Sequence, residues 1–462
     1  NKIVAYRVNT FCNLGAYNSR FGQNIQTGLF SKVLMGVYDV QTTYLNVLGI
    51  YTNTTQVDAY RGAGRPEAIY LLERMMDRAA RELKIDPLEL RRINFIKKDN
   101  FPYRSSTGET IDVGDFDRVL SAAEISADIA GFERRKKESE AKGMLRGLGL
   151  CYYIESILGD PSEEAKVVFE EGLDVKIFVG TQSNGQGHET VFAQFLSDQI
   201  GIPIEKITVV QGDTDLIPNG GGTGGSRSVT VQNNATLATV EKVIQSFSQY
   251  LSEKLEVSLE NIEFDDISFR INGSNYSPNV LEVAKMAFDD HRFDLLTHSA
   301  KATLDARSFP NGAHFAEVEV DPETGFVQVV RYSVVDDFGN LINPMLAQGQ
   351  VHGGVAQGIG QALYEHVVFD QEGQLLTATF MDYGMPRAQD LPYYKFETEC
   401  VPSTANIMGM KGCGEAGTVG ALAAVANAVQ DALWDIGIQQ VDMPFTSEKI
   451  WSMINLGNLA AE

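Results

Sequence analysis

Cysteine is scarce in this chain of 462 residues, and the four that occur stand far apart, at Cys12, Cys151, Cys400 and Cys413. No C-x-x-C pair is present, so the usual spacings of iron–sulfur cluster ligands are missing. A disulfide framework is typical of short secreted chains and does not suit a chain of this length. The composition therefore favours a reducing compartment, and we expect a cytoplasmic protein.

Positive charge is also in short supply. Lys and Arg together number 38 against 61 Asp and Glu, which gives a net charge of −23. An acidic surface repels nucleic acid and anionic membranes, so we expect neither as a partner. Long apolar runs are missing as well, because no run approaches the roughly 20 residues that span a bilayer. The longest run of small apolar residues, 421–429, predicts a buried helix.

The length of the chain predicts more than one sub-domain. The stretch 100–141 is polar and carries the charge run 133–138, which predicts a solvated helix face. We place a boundary there, between sub-domains 1–140 and 141–462. The chain starts without a methionine and already alternates like a strand, so we expect the first sub-domain to be incomplete at its N-terminus.

Strand and helix patterns mix without a strict strand–helix–strand order, which favours an α+β fold of mixed sheets flanked by helices. The predicted strands are 3–11, 147–155, 165–170, 174–179, 206–211, 314–320 and 326–335. The predicted helices are 66–83, 86–95, 189–200, 231–254, 344–364, 419–434 and 447–454.

Three glycine-rich loops stand before predicted helices, at 60–67, 180–188 and 220–228. Glycine lets a backbone approach a ligand closely, and a helix start offers free N–H groups to an anion. The loop 220–228 is not a Walker A loop, because no Gly-Lys-Ser/Thr follows. A single loop of this kind is equally well a flexible turn, but three together indicate a large phosphorylated cofactor.

One carboxylate, Glu415, lies in a run of small residues ahead of the predicted helix 419–434. Small neighbours leave room for a bulky group to reach it. In a tight and water-poor pocket it would be a candidate general base with a raised pKa. The competing interpretation is an ordinary helix cap or surface turn.

Five motifs follow one another along the chain. They are YRGAGRPE at 60–67, GQGH at 185–188, TGGSRS at 223–228, GQVHGGVAQG at 349–358 and KGCGEAG at 411–417. In this order they resemble the molybdenum-cofactor motifs of the xanthine dehydrogenase / aldehyde oxidase / carbon monoxide dehydrogenase family, in the C-terminal part of its large subunit. The resemblance covers essentially the whole chain.

The resemblance implies molybdopterin-binding domains and a molybdopterin cofactor, in the cytosine dinucleotide form that bacterial members use. Its dithiolene would hold the molybdenum, so no side chain is expected as a metal ligand. The implied reaction is hydroxylation of an electron-poor carbon with water as the oxygen source. Glu415 would be the base that takes a proton from the attacking oxygen.

The resemblance also implies roles for other residues of the motifs. Gln186 and Gln350 would hold pterin groups, and Arg61 would line the cofactor. Expected contacts to the pterin and its phosphates are Gly185, Gly187, His188, Gly225, Ser226, Arg227, Ser228, Lys411, Gly412, Cys413 and Gly414. Expected substrate-channel residues are Gly62, Ala63 and Arg65. For His188 the alternative remains a hydrogen-bonding helix residue, and for Cys413 a reactive thiol.

Two positions depart from the family's better-known members. Carbon monoxide dehydrogenases carry a copper-binding Cys where Gly62 stands here, and without a thiolate CO oxidation is disfavoured. Purine oxidisers carry a Phe where Ala63 stands, so a stacked purine would lose one wall of its site. An aromatic N-heterocycle or an aldehyde remains as the expected substrate.

The family's large subunit normally begins with a further domain and two more cofactor loops, which we do not find ahead of Arg61. We therefore expect another chain or segment to supply that part. Electrons must also leave the metal, so partner subunits with [2Fe–2S] clusters and FAD are implied. The expected assembly is a hetero-oligomer, with a dimer of heteromers as one form.

Two other functions compete with catalysis by molybdenum. One is a non-catalytic molybdopterin-binding or maturation scaffold, which would have no need for the base Glu415. The other is a dinucleotide-dependent oxidoreductase, but no G-x-G-x-x-G follows a strand with an acidic residue about 20 positions further on. The catalytic interpretation is the preferred one.

Overall fold

A computed structural model describes residues 1–459 as mixed sheets with helices packed on them, which confirms the predicted α+β fold. The strands are β1 (Tyr6–Gly15), β2 (Thr43–Tyr51), β3 (Tyr103–Arg104), β4 (Thr110–Ile111), β5 (Leu145–Ile154), β6 (Ser162–Phe169), β7 (Val175–Val179), β8 (Ile207–Val210), β9 (Ile262–Phe264), β10 (Phe269–Ile271), β11 (Thr297–Thr303), β12 (Asn311–Val320), β13 (Val327–Asp337) and β14 (Tyr394–Thr398). The α-helices are α1 (Gly22–Asn24), α2 (Arg65–Leu83), α3 (Pro87–Asn94), α4 (Phe116–Ala127), α5 (Phe132–Glu140), α6 (His188–Ile200), α7 (Ser228–Leu255), α8 (Val280–Asp289), α9 (Pro344–Leu363), α10 (Ala416–Trp434) and α11 (Ser447–Leu459).

The central sheet has the strand order β14-β13-β12-β5. The strand β12 is antiparallel to both neighbours, and β14 lies parallel to β13. Side chains alternate along β5, so that Tyr152 meets Phe95 and Phe116 on one face while Gly147 and Gly149 face α10 on the other. Because both faces are covered, β5 is apolar and buried over most of its length.

A second sheet has the order β11-β6-β7-β8, in which only β7 and β8 are parallel. The long helix α7 packs on β6 and β11, and α6 packs on α7 and β8. These elements form a separate apolar core, which includes Val167, Ile177, Phe192 and Phe247. This second sheet therefore positions two cofactor loops, the one before α6 and the one before α7.

The helix α10 is the innermost element of the main core. All but two of its 19 residues are buried, and most of its side chains are small. It packs against β5, β12, α9 and α2. The predicted buried helix at 421–429 is thereby confirmed, and its first turn fixes the place of Glu415.

Most predicted elements occur where the sequence placed them, with ends that differ by a few residues. The patterns missed the strands β2, β3, β4, β9, β10, β11 and β14 and the helices α1, α4 and α8. The charge run 133–138 does form a helix, but Arg135 is buried against Glu317 rather than solvated.

The main core joins residues from both proposed sub-domains. It contains Val8, Phe95 and Phe116 together with Val318 and Val425. The division at 140 stays a prediction. Among the residues that the structure describes, no helix is both long enough and apolar enough to cross a membrane.

Candidate active site

Four loops and the helix α9 bring the predicted motifs together. The loops are 60–64 before α2, 180–187 between β7 and α6, 211–227 between β8 and α7, and 410–415 before α10. Their sharp turns depend on positive φ angles, which are 100° at Gly62, 82° at Gly187 and 70° at Gly225. Glycine adopts this conformation without the penalty that other residues meet.

The two loops of the second sheet lie directly against each other. Thr223 Oγ1 donates a hydrogen bond to the Gln182 carbonyl at 2.5 Å and accepts one from the Gln182 N–H at 3.1 Å. A side chain on Gly180 would collide with Gly220, since its Cβ would lie 2.7 Å from the Gly220 Cα. The glycines at these positions therefore allow the two loops to form one continuous surface.

Arg61 joins the loop 60–64 to α9 and to the loop 410–415. Its Nε donates to the Gly414 carbonyl at 2.6 Å, and its Nη1 donates to Gln357 Oε1 at 2.9 Å. Its Nη2 donates to Gln350 Oε1 at 2.9 Å and to the Gln350 carbonyl at 3.0 Å. Arg61 thus orients the Gln350 amide. The hydrogen bonds of the guanidinium all go to oxygen atoms of the protein.

Glu415 lies where these loops meet, with 14% of its side chain exposed. Its Oε1 accepts the Gly62 N–H at 2.8 Å. Its Oε2 faces Arg65 Nη2 at 2.7 Å and Ser226 Oγ at 2.8 Å. Both oxygens are held by donors, so the carboxylate has one fixed orientation toward the exposed side of the junction.

The pKa of Glu415 contradicts our expectation of a raised value. Burial alone would raise it, but the Arg65 charge and the hydrogen bonds at the carboxylate bring the pKa below its ordinary value. The sequence suggested a water-poor pocket without showing that a guanidinium lies in it. Glu415 is consequently ionised at neutral pH.

Sequence reasoning missed Glu155, which stands directly after β5 beside Ser226 and Arg65. It is fully buried, and burial followed by the charge of Glu415 raises its pKa well above the ordinary value. A signal was present, because Glu155 ends a run that is otherwise apolar, Cys151 to Ile154. An acidic residue there calls for a buried partner.

Ser226 holds the centre of this arrangement. It has a φ of 57°, in the left-handed region that residues other than glycine rarely adopt. This conformation brings its hydroxyl between Glu155 and Glu415. Gly412 packs so closely on Ser226 that a Cβ would lie 2.0 Å from the Ser226 carbonyl oxygen.

Three basic residues of the motifs are buried and held by the protein itself. Arg65, predicted for the substrate channel, pairs with Glu415 behind the exposed surface. Arg227 is bound by Glu163 and by the carbonyls of Asp160, Ser162 and Gly222. These side chains anchor their loops.

The third, Lys411, forms a buried ion pair with Asp337. Cys413 beside it packs on the edge of the main core, and burial raises the pKa of its thiol to about 12. A thiol that stays protonated is a weak nucleophile. Cys413 therefore fits a packing role better than a reactive one.

The loop 180–187 presents its polar groups toward open space. The Gln186 Nε2 lies 3.0 Å from His188 Nε2, while the side-chain oxygen Oε1 of Gln186 accepts the Asn184 N–H. His188 is buried on Phe192, and burial lowers its pKa. Ser228 is the first residue of α7, and its Oγ lies 3.4 Å from Thr223 Oγ1.

These residues fit an extended phosphorylated pterin. A methyl group on Gly185, Gly222, Gly224 or Gly349 would meet no atom within 4 Å, so backbone at these places borders open space. Buried Thr181 Oγ1 and His188 Nδ1 have no hydrogen-bond partner in the part of the chain that the structure describes. Unpartnered polar atoms beside open glycine backbone suit a polar, phosphate-bearing ligand. No cluster of His, Cys, Asp or Glu suited to a metal occurs in the described residues.

Comparison with known proteins gives the same picture. A family model described as "Molybdopterin cofactor-binding domain" matches residues 122–392, and a second of that description matches residues 1–95. The carbon monoxide dehydrogenase large chain of Hydrogenophaga pseudoflava is 32% identical over 99% of this chain and 60% of its own length. The nicotine 6-hydroxylase large subunit of Paenarthrobacter nicotinovorans is 34% identical over 90% of this chain and 53% of its own.

Among solved structures, quinoline 2-oxidoreductase from Pseudomonas putida 86 superposes with a TM-score of 0.91 at 30% identity, over 98% of this chain and 60% of that one. Fold, loops and matches together define a molybdopterin-binding protein. The chain belongs to the xanthine dehydrogenase / carbon monoxide dehydrogenase family of molybdenum hydroxylases, which confirms the resemblance of the motifs. It spans about 60% of the length of these relatives.

Proposed function

We propose that this chain is the catalytic molybdenum-binding part of an oxidoreductase that hydroxylates an electron-poor carbon with water as the oxygen donor. The observation that carries the proposal is Glu415, an ionised carboxylate fixed at the meeting point of the cofactor loops. A scaffold that only bound the cofactor would need no such base. Turnover of a Glu415→Gln variant tests the proposal.

Each motif then has a function toward the cofactor. Bound molybdopterin would supply the two-electron oxidation chemistry, and this chain would hold it and accept the proton. Gln186 and Gln350 would hydrogen-bond to the pterin, the second in the orientation that Arg61 sets. Glu415 would take the proton because it is ionised at neutral pH and part of its side chain, 14%, is exposed.

The cytosine dinucleotide form of the cofactor is the form that we propose. Two glycine-rich loops stand side by side ahead of α6 and α7, and helix starts offer free N–H groups to anions. A single phosphate would need only one such helix start. Two of them suit a ligand that extends from the pterin to a nucleotide.

Substrate choice rests on the loop ahead of α2. The backbone at Gly62 has a φ of 100°, and a Cβ there would lie 2.6 Å from Pro66 Cγ. This loop therefore has no room for a copper-binding thiol. Ala63 is small and buried, so it offers no ring for stacking. We propose an aromatic N-heterocycle or an aldehyde as the substrate, and two of the relatives are named for nicotine and quinoline.

A substrate screen of the native complex tests this choice. We expect reduction of an artificial dye with quinoline, nicotinate or an aldehyde. We expect none above background with carbon monoxide, and with xanthine a rate at least roughly tenfold below the best substrate, because one stacking wall is missing. A complex that prefers xanthine or carbon monoxide would contradict the assignment of Gly62 and Ala63.

Partners are the remaining part of the proposal. The strands β1 and β2 form a two-stranded parallel sheet, which places Phe11, Leu48 and Ile50 at the surface. Parallel strands are normally buried by further structure. We propose that the rest of the large subunit packs on this pair of strands. We further propose Fe–S and FAD subunits as electron acceptors and, from the free cysteines of the described residues, a cytoplasmic location.

Purification from the native source tests the partners. We expect this chain to copurify with subunits whose absorbance shows [2Fe–2S] clusters and flavin. The polypeptide that supplies the rest of the large subunit should copurify as well. Metal analysis of the same sample should give molybdenum. An active preparation that contains this chain alone and is colourless would refute the proposed assembly.

A further inference from the structure

A cluster of four side chains lies behind the exposed edge of Glu415. Ser226 Oγ is 2.7 Å from Glu155 Oε1 and 2.8 Å from Glu415 Oε2. Arg65 Nη2 is 2.7 Å from that same Glu415 oxygen and 3.5 Å from Glu155 Oε1. Arg65 and Glu155 are buried. Two carboxyl groups therefore face one guanidinium away from bulk water.

The hydroxyl between the carboxyl groups determines how many protons the cluster holds. Ser226 has one O–H and can donate to only one of the two oxygens beside it. If both carboxyl groups were ionised, the other short contact would bring two lone pairs together, and two buried negative charges would share the single Arg65 guanidinium that contacts them. A single proton on one carboxyl group removes both conflicts. That acid donates to Ser226, and Ser226 donates to the remaining carboxylate.

The surroundings show which carboxyl group holds the proton. Glu415 has the nearer guanidinium and the Gly62 N–H at 2.8 Å. Glu155 has the more distant guanidinium, and its buried Oε2 has no hydrogen-bond partner among the described residues. An ionised oxygen without a donor costs far more in the interior than an unpartnered carbonyl oxygen. Burial and the Glu415 charge favour the neutral form of Glu155 in the same way by raising its pKa.

We propose that Glu155 and Glu415 share one proton that resides on Glu155, so that Glu155 is a positioning residue which keeps Glu415 ionised and directs the Ser226 hydroxyl toward it. This inference rests on the proposed function and deepens it, because it explains how a nearly buried carboxylate remains available as a base.

The arrangement also returns the base to its starting state. When Glu415 takes a proton during turnover, both carboxyl groups are neutral and the buried Arg65 cation loses the carboxylate that it pairs with at 2.7 Å. An unpaired buried charge is strongly unfavourable. Loss of the proton from Glu415 to the solvent side restores the ion pair at 2.7 Å.

Three further titratable groups face the pair, namely Arg61, Cys413 and Tyr153. Burial lowers the pKa of Arg61, but a guanidinium remains charged in proteins. Burial raises the pKa of Cys413 to about 12 and that of Tyr153 well above its ordinary value. None of the three changes its charge near neutral pH. Glu67, whose pKa burial also raises, interacts with Arg65 of the cluster.

Infrared difference spectroscopy on the purified complex tests the shared proton, because a protonated carboxyl group has a C=O stretching band that a carboxylate lacks. We expect the difference spectrum between the wild-type complex and Glu155→Gln to show this band at neutral pH, because the bands of other buried carboxyl groups such as Asp336 cancel in the difference. In Glu415→Gln the midpoint at which the band titrates should fall by about one pH unit or more. The charge that opposes ionisation of Glu155 is then gone, and Arg65 is free to pair with it.

Glu163 provides a matched control. It is also buried with one oxygen unpartnered in the described structure, but it faces Arg227 at 2.7 Å as a single carboxylate against a single guanidinium. Glu163→Gln should therefore leave the band unchanged. The shared proton would be overturned if this difference band is absent, or if it titrates in the Glu415→Gln background as it does in the wild type.

Turnover gives a second test. The amide of Glu155→Gln can still donate to Ser226, so we expect turnover to fall by less than roughly tenfold, and by more in Glu155→Ala, which has no donor. The reverse order would overturn the positioning role. The infrared outcomes do not depend on turnover, so they remain distinguishable from failure of the base assignment itself.

Discussion

Replacing Glu415 with glutamine should reduce turnover by about 10²- to 10⁴-fold, the usual contribution of a general base, while the complex keeps its molybdenum and pterin. Glutamine has nearly the same shape and can still accept the Gly62 N–H, so the loop should keep its conformation. What the amide loses is the capacity to accept a proton at neutral pH. Steady-state dye reduction, normalised to molybdenum content, measures the effect.

A matched control is Glu397→Gln, a half-exposed glutamate on β14 away from the cofactor loops. It should keep turnover near that of the wild type. Near-normal turnover in Glu415→Gln with full molybdenum would refute the base assignment and favour a scaffold. The wild-type activity should also persist to low pH, since the pKa of Glu415 is lowered and the base is protonated only as pH falls through that value.

The cofactor loops could be predicted from the sequence because glycine indicates particular local backbone conformations. A cluster of glycines before a helix indicates a positive φ or a close approach without any knowledge of the fold. Gly187 and Gly225 have the positive φ angles that this reasoning requires. The buried helix that ends at Trp434 could also be predicted, because a long run of small apolar residues is typical of a helix that is buried on all sides.

The charges behind the site could not be predicted in the same way. Arg65 precedes a proline in a loop motif, and only the folded chain shows that it points inward toward Glu155. These residues are 90 positions apart, and Glu415 lies a further 260 positions along the chain. A pKa depends on such distant neighbours, so the predicted direction of the shift at Glu415 was wrong. The missed strands have a related cause, since β14 pairs with β13 across an intervening helix and a long loop.

Replacing Gly149 with alanine should destabilise the complex by about 3 kcal/mol or more and abolish cofactor retention. Gly149 lies on β5 where α10 crosses it, and an added Cβ would be 2.1 Å from the Ala424 carbonyl oxygen and 2.2 Å from the Ala428 N. Both clashing atoms belong to the helix backbone, so no side-chain rotation can relieve them. The helix as a whole would have to move away from the sheet.

The same displacement would reach the active site, because Glu415 is the residue that immediately precedes α10. Its hydrogen bonds with Gly62 and Ser226 are 2.8 Å long each, so a displacement of the helix would break them. Gly172 provides the control, since it lies in the turn after β6 and an added Cβ would meet nothing nearer than 3.8 Å. Gly172→Ala should keep the thermal midpoint and molybdenum content of the wild type, and equal values in Gly149→Ala would contradict the prediction. The close approach of α10 to β5 would then be unnecessary for holding Glu415, whereas a selective loss would show that the position of the base depends on a glycine far from any cofactor motif.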